Sequence, residues 1–136
     1  MLTAPSRVDY FIEQVGEVLA PDVVYREPAD SPPETAQLEE IIGYDPLGVI
    51  ANISAWNYPY FVGVNVFVPA LLTGNAVLYK PSEIATMTGL AIAALLHESG
   101  VPEDVFVPVV GMGSTGAALL AQAIDGVFFT GSYETG

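Results

Sequence analysis

The sequence predicts an α/β fold: a Rossmann-like parallel sheet with helices on both faces, incomplete, and preceded by an N-terminal helix and a linker. Three observations predict it. From Tyr44 onward, short runs rich in β-branched residues alternate with longer apolar runs of helical length. The links between them are tight and carry glycine or proline stop signals. The strand runs are continuously apolar rather than alternating, as in parallel sheets buried on both faces. Two segments follow: residues 1–43, a helix and an acidic, proline-rich linker, and residues 44–136, the sheet-forming part.

Ser6 to Leu19 places Val8, Phe11, Ile12, Val15, Val18 and Leu19 on one helical face, with Ser6 as a cap and Pro21 just beyond the end. Residues 20–43 turn polar and acidic around Pro28, Pro32 and Pro33, which reads as an irregular arm with a single turn of helix. Pro46 to Ile53 reads as a buried strand. Tyr58 to Leu72 reads as an apolar helix closed by Gly74 just past its end. Asn75 to Tyr79 is a short strand, and Ala85 to Ser99 a helix stopped by Gly100 and Pro102. Val105 to Val110 is a strand rich in β-branched residues. Thr115 to Ala123 is a short helix, Gly126 to Phe129 a fourth strand, and Ser132 to Gly136 the first turn of a helix. Right-handed crossovers then wind the sheet doubly, and ligands bind outside the carboxyl ends of its strands. Those ends are Ser54 to Asn57, Lys80 to Glu83, Gly111 to Gly116 and Thr130 to Ser132.

Composition narrows the function classes. The chain has 136 residues, with 51% hydrophobic and only 14% charged, where about 25% charged is usual. Its most apolar stretch, Val62 to Leu72, is interrupted by Gly63, Asn65 and Pro69 and falls short of the roughly 20 residues a spanning helix needs. The N-terminus shows no basic segment followed by an apolar core. The expectation is a cytoplasmic chain that meets no membrane. A net charge of −13 disfavours nucleic acid as a partner. The absence of cysteine excludes disulfides, thiolate zinc sites and a cysteine nucleophile within these residues. His97 is the single histidine, too few for a multi-histidine metal site, and no metal is expected. It falls near a helix end, where a cation meets the helix dipole favourably.

Four motifs collect at the ligand edge. Gly111-Met112-Gly113-Ser114-Thr115-Gly116 matches G-x-G-x-x-G between a strand and a helix. Missing β-carbons there let a nucleotide approach the backbone, although a bare turn uses glycines in the same way. The acidic residue usual about 20 positions further on is matched poorly by Asp125 and Glu134. Phe129-Thr130-Gly131-Ser132 ends a strand at a helix start, where free amides and the Ser132 hydroxyl suit a phosphate and equally suit a helix cap. Lys80-Pro81-Ser82-Glu83 sets the only lysine beside a carboxylate, a pair able to donate to and accept from ribose hydroxyls, or to form a weak surface ion pair. Asn57, in Ser54-Ala55-Trp56-Asn57-Tyr58-Pro59, offers an amide donor at a strand end, as a turn residue or as an oxyanion donor.

Taken in order, Pro46-Leu47-Gly48-Val49, Trp56-Asn57-Tyr58-Pro59, Pro69-Ala70-Leu71 with Gly74-Asn75, Lys80-Pro81-Ser82-Glu83, Gly100-Val101-Pro102, Gly111 and Gly113, and Phe129-Thr130-Gly131-Ser132 resemble the NAD(P)-dependent aldehyde dehydrogenase superfamily. The resemblance runs from about Tyr44 to Gly136. It implies that Asn57 holds the aldehyde or hemithioacetal oxygen, and that Ile53 and Trp56 line the cofactor cleft. It implies that Lys80 and Glu83 hold the adenosine ribose with Ser82 close by, and that Gly113 lies near the adenine. Gly131 and Ser132 would meet the pyrophosphate, with Gly136 closing that turn. The cofactor implied is NAD or NADP: Glu83 would repel a 2′-phosphate while Lys80 and Ser82 would welcome one, and NAD is favoured. Ala55 stands where the family usually has proline. The family's cysteine nucleophile and general-base glutamate lie beyond the Thr-Gly-Ser turn, so the chain resembles part of the nucleotide-binding domain and is expected to be inactive alone.

The family oxidises an aldehyde to a carboxylic acid through a cysteine thiohemiacetal and hydride transfer. The alternative reading of the chain is a non-catalytic nucleotide-binding or interaction module. A short-chain dehydrogenase would need a tyrosine four residues before its lysine, where this sequence has Ala76. Val127 and Phe129 are expected to be exposed, which predicts self-association.

Overall fold

A computed structural model describes residues 3–28 and 38–136. Helix α1 spans Ala4–Val18. Its cap is Thr3 rather than Ser6: Ser6 is the third helical residue, and its hydroxyl accepts from the Thr3 N–H at 3.0 Å. The arm after α1 departs from the expectation of irregular chain. Strands β1 (Asp22–Arg26) and β2 (Glu39–Ile42) pair antiparallel, with Arg26 opposite Glu39 and an ion pair between their side chains. The β-branched residues Val23, Val24, Ile41 and Ile42 favour extended backbone; the prolines and acids around them obscured that signal. Pro32 and Pro33 lie outside the described residues. Both strands are exposed along their length.

The remaining elements form a four-stranded parallel sheet in the order β5-β4-β3-β6. They are β3 (Val49–Ile53), α2 (Pro59–Leu72), β4 (Ala76–Lys80), α3 (Thr86–Glu98), β5 (Phe106–Pro108), α4 (Gly113–Leu120) and β6 (Gly126–Phe129). A 3₁₀ turn at Glu83–Ala85 leads into α3. Gly74 follows α2 with φ +82°, the left-handed stop expected of it. The winding proceeds from β3 through β4 to β5 and then returns across the sheet to β6 on the far side of β3. That reversal is a topological switch point, and a crevice opens there at the carboxyl ends of β3 and β6.

Alternation along the strands assigns the faces. Ile50, Val77, Tyr79 and Phe106 are buried in one cluster with Val64, Phe67, Val68 and Ala70 of α2 and Ile92 and Ala93 of α3. Phe67, Tyr79 and Phe106 form its aromatic centre, with centroids 5.2–5.5 Å apart. Lys80, next along from Tyr79, points to the opposite face and packs on Gly116 of α4. His97, in the last turn of α3, bonds through Nε2 to the Phe106 carbonyl at 2.9 Å, so that ring nitrogen carries the proton. It thereby ties α3 to β5. β6 is exposed, as expected for Val127 and Phe129: Val127, Phe128 and Phe129 are 48%, 46% and 39% exposed. β6 is an edge strand paired only with β3. No helix among the described residues is long and apolar enough to cross a membrane.

Candidate functional site

The carboxyl ends of β3, β4 and β6 are stitched together beyond the strands proper. The Ser54 N–H donates to the Lys80 carbonyl at 3.0 Å, and the Thr130 N–H to the Ile53 carbonyl at 2.9 Å. These bonds hold three post-strand turns side by side. Between them and the start of α4 lies a cleft of about 540 Å³, within the usual size of a small-molecule site. Ile53, Trp56, Asn57, Lys80, Ser82, Glu83, Gly113, Gly131 and Ser132 all line it. Gly136 does not; it borders a neighbouring hollow with residues of the same turn. Its N–H donates to the Ser132 carbonyl at 3.2 Å and so closes the turn.

The electrostatics of the cleft centre on Lys80. Its side chain is only 4% exposed, and among the described residues Nζ has a single acceptor, the Pro81 carbonyl at 3.4 Å. A buried ammonium held this weakly is costly unless a ligand supplies further acceptors. Glu83 is exposed at the rim. The Ser82 hydroxyl caps the 3₁₀ turn by accepting from the Ile84 N–H at 3.3 Å, and lies 3.5 Å from the Glu83 carboxylate. Across the cleft, the Ser132 hydroxyl pairs with that of Thr135 at 2.8 Å. The α4 terminus has no side-chain cap, so its first N–H groups are unpaired within the helix. Trp56 and Asn57 are exposed, and Asn57 makes no side-chain hydrogen bond to other described residues.

Sequence reasoning missed two groups, Asn52 and Tyr79. Asn52 is fully buried in β3, with Oδ1 3.5 Å from the Ser54 hydroxyl and Nδ2 unpartnered among the described residues. Tyr79 is its register partner in β4. Burial pushes the Tyr79 phenol up from its ordinary range, and a hydrogen bond with Ser54 partly offsets this. Asp125, weighed as a ribose partner for the glycine-rich turn, sits instead at the amino end of the sheet. Its carboxylate accepts from the Val49 N–H at 2.8 Å, and its own N–H donates to the Val49 carbonyl. A side chain on Gly48 (φ +123°) would run into that carboxylate. Only the pairing of β3 with β6 brings Val49 and Asp125 together.

The chain matches the model of the aldehyde dehydrogenase family over residues 6–136. It is 42% identical over 103 residues to an N-succinylglutamate 5-semialdehyde dehydrogenase of Legionella pneumophila, covering 76% of this chain and 21% of that protein. It is 39% identical over 127 residues to a 4,4'-diapolycopene aldehyde oxidase of Methylomonas, covering 93% and 23%. The fold superposes on an NAD-dependent aldehyde dehydrogenase from Sinorhizobium meliloti with TM-score 0.78 and 26% identity, over 98% of this chain and 25% of that one. The chain thus spans about a fifth to a quarter of the length of these relatives.

Proposed function

The chain belongs to the aldehyde dehydrogenase family, and we propose that its cleft binds a nicotinamide dinucleotide, NAD in preference to NADP. The observation that carries this reading is the buried, under-partnered ammonium of Lys80 at the switch-point crevice. Ribose hydroxyls supply the acceptors it lacks, and the Glu83 carboxylate accepts from the same hydroxyls. That carboxylate repels a 2′-phosphate, which sets the preference for NAD. Gly131 and Ser132 receive the pyrophosphate on the free amides of their turn, with Gly136 holding the turn closed. Gly113 leaves room for the adenine, and Ile53 and Trp56 wall the cleft.

Held in this cleft within a longer chain, a nicotinamide dinucleotide would supply the hydride acceptor for oxidation of an aldehyde to a carboxylic acid. Asn57 in that setting donates its amide to the developing oxyanion, a contribution of roughly 3 kcal/mol where such donors have been removed. The attacking thiol is not among these 136 residues, which contain no cysteine. On this reading the chain by itself binds the nucleotide and does not supply the attacking thiol. Isothermal titration with NAD, NADP and AMP tests the reading: NAD and AMP bind, NADP binds more weakly, and Glu83→Gln narrows the gap between NAD and NADP. Absence of NAD and AMP binding to the folded chain overturns it. An NADP affinity equal to that for NAD in the wild type overturns the role of Glu83.

A further inference from the structure

We propose that Gly89 of α3 is a positioning residue for the nucleotide-binding turn Lys80-Pro81-Ser82-Glu83. Its missing side chain leaves the space in which the Pro81 ring sits, and that seat sets the Lys80 ammonium and the Ser82–Glu83 turn at the cleft. This rests on the nucleotide reading above and adds a residue remote from the ligand. Gly89 and Pro81 do not line the cleft, whereas Lys80, Ser82 and Glu83 do.

Gly89, Ile92 and Ala93 are the buried residues of α3, at the spacing of a single helical face. The φ of Gly89 is not positive, so its backbone does not demand glycine. Glycine inside a helix lowers helix stability relative to alanine, so its use must answer to what it faces. It faces Pro81, which is itself buried. A β-carbon on Gly89 would sit 2.5 Å from Cβ of Pro81 and inside contact distance of its Cγ, where carbon atoms pack best at about 3.5–4.0 Å. The proline ring is closed onto its own backbone nitrogen, so it has no rotamer by which to turn aside. Even a methyl group therefore requires the backbone of one partner to move.

The partner free to move is Pro81. α3 is held to the sheet by Ile92 and Ala93 in the core and by the bond between His97 and the Phe106 carbonyl. Pro81 has no N–H to pair, and the sheet-edge bond before it ends at the Lys80 carbonyl. Beyond it the chain enters a turn with Glu83 and Ile84 exposed, closed by the Ala85 N–H on the Ser82 carbonyl at 2.9 Å and the Thr86 hydroxyl on the Glu83 carbonyl at 3.0 Å. Displacing Pro81 carries along the carbonyl that accepts from Lys80 Nζ at 3.4 Å, and with it the Ser82–Glu83 turn. The cleft side of the turn thus answers to a contact on its far side.

The test uses the only lysine of the chain, which gives a single lysine spin system after selective ¹³C,¹⁵N-lysine labelling. Gly89→Ala moves the Lys80 Cε resonance and weakens NAD and AMP by about tenfold, the scale of one lost hydrogen bond to a charged group. Pro81→Gly removes the ring that the new methyl group meets. The double variant Pro81→Gly/Gly89→Ala therefore matches Pro81→Gly in both Cε resonance and nucleotide affinity. A lower Tm in Gly89→Ala with unmoved Cε resonance and unchanged affinities makes Gly89 a packing residue alone and overturns the proposal. Equal effects of Gly89→Ala with and without the Pro81 ring overturn it too. If Gly89→Ala does not fold, the double variant decides: folding with the Cε resonance of Pro81→Gly supports the proposal, and failure to fold, or a displaced resonance, overturns it. If the wild type binds neither NAD nor AMP, the nucleotide reading fails, while the resonance comparisons still decide the positioning claim.

Discussion

Replacing Asn75 with alanine should destabilise the fold without touching the cleft. Asn75 is 6% exposed and stands where α2 ends and β4 begins. Its Oδ1 accepts from the Gly48 N–H at 2.9 Å, while Nδ2 donates to the Ala70 carbonyl at 3.1 Å and the Thr73 hydroxyl at 2.8 Å. Asn75→Ala deletes all three bonds. The Ala70 carbonyl keeps the Asn75 backbone N–H, at 2.9 Å, so the main orphan is the Gly48 N–H, at a cost of about 1–3 kcal/mol. Gly48 is only half-buried, which places the orphan at the low end of that range; with the net loss of the other two bonds the total is about 2–3 kcal/mol, or roughly 6–12 °C in Tm for a domain of this size.

Asn75→Asp sharpens the test. Its carboxylate keeps the acceptor for Gly48 but faces the Ala70 carbonyl, and burial raises its pKa above the unfolded value. Stability is then present below the unfolded carboxylate pKa and lost as pH rises through the folded one. Thermal melts followed by circular dichroism should show Asn75→Ala low at every pH, and Asn75→Asp lower at neutral than at acid pH. Because Asn75 lies at the amino ends of the strands, the folded Asn75→Ala protein keeps wild-type NAD affinity. A Tm within about 2 °C of wild type, or an affinity lost while the fold persists, would refute the reasoning.

Other outcomes follow from the same geometry. Lys80→Met removes a buried charge, so Tm should hold or rise, while NAD affinity drops by about tenfold or more in calorimetry; a lower Tm with unchanged affinity would make Lys80 a purely structural residue. Tyr79 has a raised folded pKa, so its contribution is complete below the unfolded value of about 10 and lost as pH rises through the folded value. Tyr79→Phe should therefore flatten the alkaline decline in denaturant-melt stability, and an unchanged decline counts against the burial argument. The exposed faces of β6 predict concentration-dependent self-association. Sedimentation velocity should show Phe128→Lys shifting the chain toward monomer, and a wild type that is monomeric at all concentrations contradicts this.

The sequence by itself determined the order of elements from β3 to β6, the left-handed stop at Gly74, and which motifs fall at the carboxyl ends of the strands. These depend on local periodicity and on turn chemistry, which are written in neighbouring residues. It also specified which residue types gather at the carboxyl ends, because a parallel sheet places every strand end on one edge. The arm around β1 and β2 was illegible because proline and acidic residues mask a pairing between segments more than a dozen positions apart. Tertiary structure alone decided the partners of Asn52, Tyr79, Asn75 and Asp125. It alone set Lys80 against Gly116 and left Gly136 outside the cleft. Each of those contacts joins residues far apart in the chain or on different strands, and depends on strand order and register. A one-residue shift in register would turn every side chain to the other face, so the pairing of β3 with both β4 and β6, more than any motif, makes a buried lysine and an exposed carboxylate share one cleft.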